Sequence, residues 1–438
     1  MSKKLFAILV CLAVAAGSLY AAGKQEAPQP AVEKQAATGA YAPEQQVTLR
    51  FWYSYSGYRA ELLKSYVAEW EKPNPKIRIK LEYGGDLYTM RDKMMTAIAG
   101  GAAPDIAEID SYWTPIFAQP GSIVNLEPSM ADASYNKGDL QPPALLSTQY
   151  KGQSYSIPFN LDTIAYYYNK RLFEKAGLDP KKGPATWDDI VEFGKKLTVD
   201  KNNDGTTEQW GIVFPTKANF GAIWYWLAFF TQQEGKLFND AITESTFNSD
   251  AGVEATNFWR KLVYDAKILT LSAGWADFEA GIAAMELTSS AELGGYKDSM
   301  GANNIGLVPL PKGKVNATVT GGGNLAILAT CPDKKAAWAF LSWLGSTEIN
   351  KRWALATGAI PTRKSVIATA EYQDFLIRDP FAKIMISTLD TAIVRPNVPQ
   401  YGDASRILAQ AVEESVYKNT DPKPLLDQAK LEVDKLFR

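Results

Sequence analysis

The chain of 438 residues contains no histidine. This absence excludes a Ser-His-Asp triad, histidine ligands to zinc and a histidine general base. Cysteine is almost absent too, because Cys11 and Cys331 are the two in the chain. We expect Cys331 to be a small buried apolar side chain. If Cys11 is removed with a leader, an intrachain disulfide is impossible in the mature protein.

A strong excess of charge of either sign is also missing. The formal net charge is −2. Removal of residues 1–23 would delete Lys3 and Lys4 and no acidic residue, which gives −4. Such a balance gives no support for binding to nucleic acid or to an anionic membrane. The phosphate-binding pattern GxxxxGK[ST] is absent as well, so the chain is not itself an ATPase of that class.

The first residues have the pattern of a secretory signal peptide. Lys3 and Lys4 precede an apolar stretch, Leu5 to Ala16, that is short for a membrane span. Ala21-Ala22-Gly23 offers a cleavage site, so residues 1–23 are predicted to be a signal peptide; the alternative is an uncleaved anchor. Residues 24–46 are rich in Ala, Pro and Gln, and are predicted to be a flexible tether. The expected location is the periplasm or the outer face of the cytoplasmic membrane.

The remaining residues, 47–438, are enough for two domains. Their start alternates between strand and helix patterns, with strands predicted at 47–53, 77–83 and 105–109 and helices at 59–71 and 86–99. This alternation indicates an α/β fold with mainly parallel sheets. In such a sheet, ligands bind at the carboxyl ends of the strands.

Aromatic and hydrogen-bonding side chains follow the predicted strands. Tyr55 comes after the first strand, Tyr88 lies just beyond the second, and Asp110 and Tyr112 follow the third. A sugar presents hydroxyl groups at its edge and apolar C–H faces to an aromatic ring. These residues are therefore predicted to contact a polyol.

Residues 151–198 show the most specific pattern in the chain. Pro158-Phe159-Asn160 leads into the aromatic strand Ala165–Lys170 and then a short helix to Gly177. A second helix is predicted over Trp187–Leu197, with its start at Thr186-Trp187-Asp188-Asp189 and Thr186 as its N-cap. This order, with Gly321-Gly322-Gly323-Asn324, Thr357–Pro361 and Arg395–Tyr401, resembles the solute-binding proteins of ABC importers. The resemblance is to the large carbohydrate-binding family that includes the maltose and glycerol-3-phosphate binders, and it covers residues 47–438.

The resemblance implies two α/β lobes, each a mainly parallel sheet flanked by helices, with a ligand cleft between them. It places residues 47–158 and 323–375 in the N-terminal lobe, and 159–322 and 376–438 in the C-terminal lobe. It implies capture of a mono- or oligosaccharide by hinge closure and delivery to a membrane permease, with no chemical step and no cofactor. We expect a monomer.

Further ligand contacts are predicted along the second half of the chain, each with a structural alternative. Trp224 is either a stacking platform or core, whereas Trp226 is predicted to be core. Ser289 and Ser290 either bind ligand or cap a helix. The other predicted contacts are Asn160, Asp162, Gly322, Gly323 and Asn324; the glycines would also suit a hinge.

Arg406 is predicted to bind ligand because the arginine that grips phosphate in the glycerol-3-phosphate binders occurs in a corresponding helix. Glycerol-3-phosphate or a glycerophosphodiester is therefore an alternative ligand. Ala359, where those binders place a tyrosine, and the negative charge of Asp162 favour a neutral sugar. A surface salt bridge would also explain Arg406. A remote alternative is a secreted glycoside hydrolase that uses Asp110 and Asp162 as its two carboxylates.

One loop has the first half of a calcium-binding pattern. Asp200, Asn202 and Asp204 place oxygen atoms at alternate positions before Gly205, and Glu208 could supply the ninth position. The twelfth position is Gly211, not the usual glutamate. The loop is either a polar turn or a structural calcium site.

Overall fold

The computed structural model describes residues 41–200, 204–217, 220–272, 274 and 276–438. The predicted signal peptide and residues 24–40 of the predicted tether lie outside the described residues. Within the described ranges the strands are β1 (Val47–Tyr53), β2 (Ile77–Tyr83), β3 (Ile106–Asp110), β4 (Gln149–Tyr150), β5 (Gln153–Ser154), β6 (Ile157–Pro158), β7 (Asp162–Asn169), β8 (Met285–Ser289), β9 (Ile305–Val308), β10 (Thr318–Gly321), β11 (Gly323–Ile327) and β12 (Ala392–Ile393).

Helices flank these strands on both sides of the cleft. They are α1 (Gly57–Glu71), α2 (Leu87–Ala99), α3 (Thr114–Ala118), α4 (Glu127–Met130), α5 (Pro142–Ser147), α6 (Lys170–Lys175), α7 (Trp187–Leu197), α8 (Phe220–Gln232), α9 (Asp250–Arg260), α10 (Leu293–Met300), α11 (Lys334–Leu344), α12 (Thr347–Thr357), α13 (Lys364–Ile367), α14 (Ala370–Arg378), α15 (Pro380–Ser387), α16 (Tyr401–Lys418) and α17 (Pro422–Asp434).

The first lobe is built on a five-stranded sheet with the order β2-β1-β3-β11-β6. β1 pairs in parallel with β2 and with β3, as the alternation of strands and helices predicts. β11 is antiparallel to β3 and to β6. The mixed pairing arises because β11 enters this sheet from the other lobe and not through a helical crossover.

The second lobe is built on a sheet with the order β12-β10-β7-β8, in which β9 also pairs with β7. Here β7 is antiparallel to β8, β9 and β10, and β10 with β12 is the one parallel pair among the described strands of this sheet. The two-lobed α/β fold is confirmed, but the prediction of a mainly parallel sheet is wrong for this lobe. β7 arrives directly from β6 of the first lobe, so its direction is set by that passage.

Local sequence signals explain the best-defined helices. Thr186 begins α7 with a reciprocal capping box: its hydroxyl accepts from the backbone N–H of Asp189, whose carboxylate accepts from the N–H of Thr186. The helix then ends at Leu197, as predicted. By contrast, Asp277–Met285 resembles the family's helix-then-strand element, but only the strand part is present: β8 begins at Met285, and residues 276–284 contain no helix. Residues 276–281 form turns, and Gly281 has a φ of +70°, which a continuing helix does not accept.

Chain passages between the two sheets lie side by side. The chain leaves the first sheet at Pro158 and enters the second at Asp162, then returns from Gly321 in β10 to Gly323 in β11. Large aromatic side chains such as Trp113, Trp226 and Trp353 are fully buried on either side of these passages. Among the described residues, no helix is both long enough and apolar enough to cross a bilayer.

Candidate functional site

A cleft of about 880 Å3 opens between the two sheets. Its walls come from the segments that follow β1, β3 and β8, together with the passages between the lobes. This is the position predicted from the rule that ligands bind beyond the carboxyl ends of parallel strands. Of the predicted contacts, the cleft is lined by Tyr55, Asp110, Asn160, Asp162, Trp224, Ser289, Gly322 and Gly323.

The floor of the cleft is the glycine passage from β10 to β11. Gly321 lies opposite Asp162 in the second sheet, and Gly323 lies opposite Asp110 in the first. Gly322, between them, has a φ of +123°, and a Cβ added there would stand 2.1 Å from the backbone oxygen of Asn160. Only glycine fits this conformation and this contact. The passage therefore brings one aspartate from each sheet to the same place.

Asp162 has one satisfied and one unsatisfied carboxylate oxygen. The hydroxyl of Ser289 donates to its Oδ2 at 3.0 Å. Its Oδ1 is buried and has no hydrogen-bond partner among the described residues. Burial, followed by the nearby charge of Asp110, outweighs the Ser289 bond and raises the pKa of Asp162 to about 6. An oxygen in this condition gains free energy from a ligand that donates a hydrogen bond.

Asp110 makes an ion pair across the cleft floor with Arg395, which follows β12. The guanidinium of Arg395 also donates to the hydroxyl of Ser111 at 2.8 Å. It lies 4.3 Å from the ring centre of Tyr112 and 5.9 Å from that of Trp224. Tyr112 is thus packed against the guanidinium of Arg395 and is not among the residues that line the cleft. In this position its ring supports the arginine and does not face the cleft.

Trp224 presents an aromatic face to the cleft from α8. Its indole N–H donates to the backbone oxygen of Thr320 at 3.2 Å, which fixes the ring against β10. Trp226, on the other side of the helix, is fully buried and stacks on Phe230, as predicted for a core residue. The two residues therefore differ as their helical positions require: one faces the cleft and the other the core.

Tyr55 and Asn160 occupy the wall beside the hinge. The ring of Tyr55 packs 5.2 Å from that of Trp353 in α12. The indole N–H of Trp353 in turn donates to Oδ1 of Asn160 at 3.3 Å. A fixed aromatic ring and an oriented amide are thus held at the edge of the cleft.

Two predicted contacts are corrected. Asn324 is fully buried behind the cleft, where its side-chain amide donates to the backbone oxygen of Ser147 at 3.0 Å. It alternates with Gly323 along β11 and so points to the opposite face. Arg406 is exposed on α16 and is not among the cleft-lining residues. Arg395, which precedes that helix, does line the cleft.

Other predicted residues have different outcomes. Tyr88 belongs to α2, but its side chain lies outside the described residues. Ser289 lines the cleft and also caps the following turn, because its hydroxyl accepts from the N–H of Ala291 at 3.0 Å. Ser290 turns inward, where its hydroxyl accepts from the N–H of Thr163. Ser289 therefore caps the turn and stays a predicted ligand contact, whereas Ser290 does neither.

The cleft contains charged residues that the sequence reasoning missed. Glu108 is buried in β3 and accepts from the backbone N–H and the hydroxyl of Ser54, both at 2.7 Å. Burial raises its pKa above the ordinary value despite these bonds. The sequence signal was available: Ile-Ala-Glu-Ile-Asp places an acid inside an apolar strand. Arg59 in α1 also lines the cleft, and nothing in its local sequence distinguishes it.

The predicted calcium loop is partly described. Oxygen atoms of Asp200, Asp204 and Glu208 lie within 4.8 Å of one another. The carboxylate of Asp200 accepts from the backbone N–H of Gly205 at 2.9 Å. Asn202 lies outside the described residues. This geometry is compatible with oxygen ligation of calcium, and equally with an acidic turn.

A model of a known protein family matches residues 65–378, which is most of the chain. The family is described as "Bacterial extracellular solute-binding protein". The chain belongs to this family. As a solute-binding protein it is the component of an ABC importer that captures a small molecule and works with membrane permease subunits, which confirms the resemblance seen in the sequence.

Curated relatives and solved structures of solute-binding proteins agree with this assignment. The sn-glycerol-3-phosphate-binding periplasmic protein UgpB of Escherichia coli (strain K12) is 26% identical over 349 residues, which covers 76% of this chain and 78% of that protein. An ABC transporter solute-binding protein from Thermotoga lettingae, solved with α-D-tagatose, has a TM-score of 0.80 at 24% identity and covers 89% of this chain and 100% of that one. UgpB from Mycobacterium tuberculosis, solved with glycerophosphocholine, has a TM-score of 0.79 at 23% identity and covers 90% and 98%.

Proposed function

We propose that this solute-binding protein captures a sugar, either a mono- or an oligosaccharide, by closing its lobes around it. The proposal rests mainly on the chemistry of the cleft. Trp224 supplies a flat apolar face, and Asp162, Asn160 and Ser289 supply hydrogen-bonding groups around it. A sugar ring offers complementary C–H faces and hydroxyl groups. The relative solved with α-D-tagatose supports the same ligand class.

The charge of the cleft distinguishes a sugar from a glycerophosphate. Among the described residues that line it, six are acidic (Glu108, Asp110, Asp162, Glu292, Asp298 and Asp379) and three are cationic (Arg59, Lys297 and Arg395). Lys297 is paired with Asp379, and Arg395 with Asp110. A phosphate would meet this acidic surface with little free positive charge to neutralise it. This is the observation that favours an uncharged polyol.

Glycerol-3-phosphate or a glycerophosphodiester stays the second candidate because of Arg395. Its guanidinium is buried at the cleft floor, close to the Ser289–Asp162 pair, and arginine is the side chain best suited to phosphate. Both UgpB proteins among the relatives bear names or titles that refer to glycerophosphate compounds. For a phosphate to bind here, the ion pair between Arg395 and Asp110 would have to break.

We also propose that the protein performs no chemical step. Asp110 and Asp162 are the two carboxylates that a glycoside hydrolase would need, and their environments differ as those of an acid and a base do. However, Asp110 is neutralised by its ion pair with Arg395, which leaves it unsuited to act as a base or a nucleophile. The family consists of binding proteins. Release of reducing sugar from maltooligosaccharides during incubation would contradict this part of the proposal.

A thermal-shift panel followed by calorimetry tests the ligand class. Maltose, D-tagatose, glycerol-3-phosphate and glycerophosphocholine are compared, since a ligand that binds the folded form raises the melting temperature. A sugar that binds with one-to-one stoichiometry, with no shift from the phosphates, is the expected result. The variant Arg395→Ala should weaken any phosphate ligand severely, and Arg406→Ala is the matched control that should leave affinity unchanged. Binding of the phosphates alone would sink the sugar proposal.

Secretion and the quaternary state complete the proposal. Residues 1–23 are proposed to direct export, and residues 24–46 to be a flexible tether. If residues 1–23 are not cleaved, this tether connects the binding lobes to a membrane anchor. We propose a monomer that docks on permease subunits in its closed, liganded form. No cofactor is required for this activity, and a calcium ion at Asp200, Asp204 and Glu208 would be structural.

A further inference from the structure

One contact joins the lobes directly across the open part of the cleft. Arg59, near the start of α1 in the first lobe, donates a hydrogen bond from its guanidinium to the backbone oxygen of Ala291 at 2.8 Å. Ala291 lies in the short turn that follows β8 in the second lobe. Both residues line the cleft. The contact can exist only when the two lobes are close together.

The charges around Arg59 come from both lobes. Its guanidinium lowers the pKa of Glu108 in the first lobe, and it lowers the pKa of Asp162 and Glu292 in the second. In each of these acids burial raises the pKa more strongly. Closure therefore moves acidic groups of the two lobes toward each other, and the positive charge of Arg59 interacts favourably with acids of both lobes.

An ion pair between the lobes has a different position. Arg395 pairs with Asp110, which lies opposite Gly323 at the passage between the sheets. A contact this close to the axis of a hinge changes little in length when the lobes rotate. Ala291, in contrast, lies in the turn that follows β8, and its partner Arg59 lies on α1, which is not part of the passage between the sheets. Its distance to Arg59 therefore depends strongly on how far the lobes have closed.

We propose that Arg59 is a positioning residue that stabilises the closed form by bonding Ala291 and by compensating the acidic groups of both lobes. It acts on the open–closed equilibrium, not on the choice of ligand. Since ligand binds most tightly to the closed form, removing Arg59 reduces the fraction of closed protein and lowers every apparent affinity by the same factor. The inference holds whichever solute occupies the cleft, so it does not depend on the sugar proposal.

The first experiment measures closure itself. Spin labels are placed at Glu61→Cys in the first lobe and Lys182→Cys in the second, both at exposed positions. Their distance distribution is recorded for the mature protein with Arg59 intact, with Arg59→Ala and with Arg59→Lys, without ligand and with each compound of the panel. Arg59→Ala is expected to shift the distribution toward longer, open distances, and Arg59→Lys to do so less. Identical distributions in every condition would overturn the proposal.

The second experiment separates a closure effect from a ligand contact. Affinities of each compound that binds are measured for Arg59→Ala, and loss of one charge-assisted hydrogen bond is expected to weaken them all by about tenfold. Arg352→Ala is the matched control. Arg352 makes a bidentate ion pair with Glu69, which lies on α1 as Arg59 does, and this pair stays within the first lobe. Melting temperatures check folding. A loss of affinity confined to one compound would show that Arg59 contacts that ligand, and would contradict the proposal for Arg59. If no sugar binds, only the proposal of a sugar ligand fails.

Discussion

At the scale of single residues, Trp224 is the side chain whose role depends most on the ligand being a sugar. Its ring faces the cleft and is fixed by the bond to Thr320. Trp224→Ala removes the stacking face and is expected to lower sugar affinity by about tenfold or ~1.4 kcal/mol, whereas Trp224→Phe retains most of it. Calorimetry measures the affinity, and the melting temperature reports any loss of packing. Equal affinities for the Trp and Ala proteins would remove the ring from the site.

Glu286 is a buried acid that the binding site does not use. It lies in β8, where its carboxylate accepts a hydrogen bond from the hydroxyl of Tyr296. Burial, chiefly, raises its pKa from 4.5 to about 8, although the Tyr296 bond opposes the change. The folded protein therefore binds this proton more tightly than the unfolded chain does. Stability from this group is present below the unfolded pKa and is lost as pH rises toward 8.

The substitution Glu286→Gln should remove this pH dependence and keep a hydrogen-bond acceptor for Tyr296. Relative to the original protein, the free energy of unfolding of the variant should rise between pH 5 and pH 8, by an amount on the order of 4 kcal/mol at the upper end. Melting temperatures across this range measure the gain. Glu61→Gln is the control, since that carboxylate is 69% exposed. Parallel pH profiles for Glu286→Gln and the original protein would contradict the assignment.

At the scale of elements, the passage from β10 to β11 is the most constrained segment. Gly322→Ala meets both a positive φ and the backbone oxygen of Asn160, so we expect a loss of about 3 kcal/mol or failure to close. Gly101→Ala is the matched control: Gly101 has a φ of +66° but nothing within 4 Å of an added Cβ. It should lose about 1 kcal/mol from conformation alone. Equal losses in chemical denaturation would show that the contact with Asn160 is unimportant.

The loop at Asp200–Glu208 allows a direct test of the calcium hypothesis. If the three carboxylates bind the ion, millimolar calcium should raise the melting temperature, and EDTA should reverse the change. Asp200→Asn and Asp204→Asn should each abolish the increase. An increase that persists in both variants would place the calcium elsewhere, and no increase in the original protein would leave an acidic turn.

The sequence predicted elements where local signals are strong. α7 has a capping Thr186 and a periodic apolar face, so its limits were predicted correctly. The pairing of β7 could not be predicted in this way, because its direction depends on a passage from the other lobe. Arg395 was not predicted as a site residue, because it is distant in sequence from its partner Asp110 and lies before the helix that contains Arg406. Glu108 could have been predicted from the sequence, because an acidic side chain in a buried strand requires a hydrogen-bonding or charged partner.

At the scale of the whole molecule, the two sheets are separate bodies joined by short passages. Rotation about these passages is the expected response to ligand. Saturating maltose, or the panel sugar that binds, should lower the radius of gyration measured by small-angle X-ray scattering. The same sugar should have little effect on Trp224→Ala at equal concentration. A radius unchanged by a bound sugar would mean that the protein binds without closing.

Gly321, Gly322 and Gly323 form the floor of the cleft and also a chain passage between the two sheets. A change of ligand preference cannot be introduced there without stiffening the motion that traps the ligand. Diversification of such a protein is therefore confined to its walls: the ring from α8, the turn after β8 and the loop after β1. Engineers who wish to retarget it should leave the glycines intact and vary those three rims.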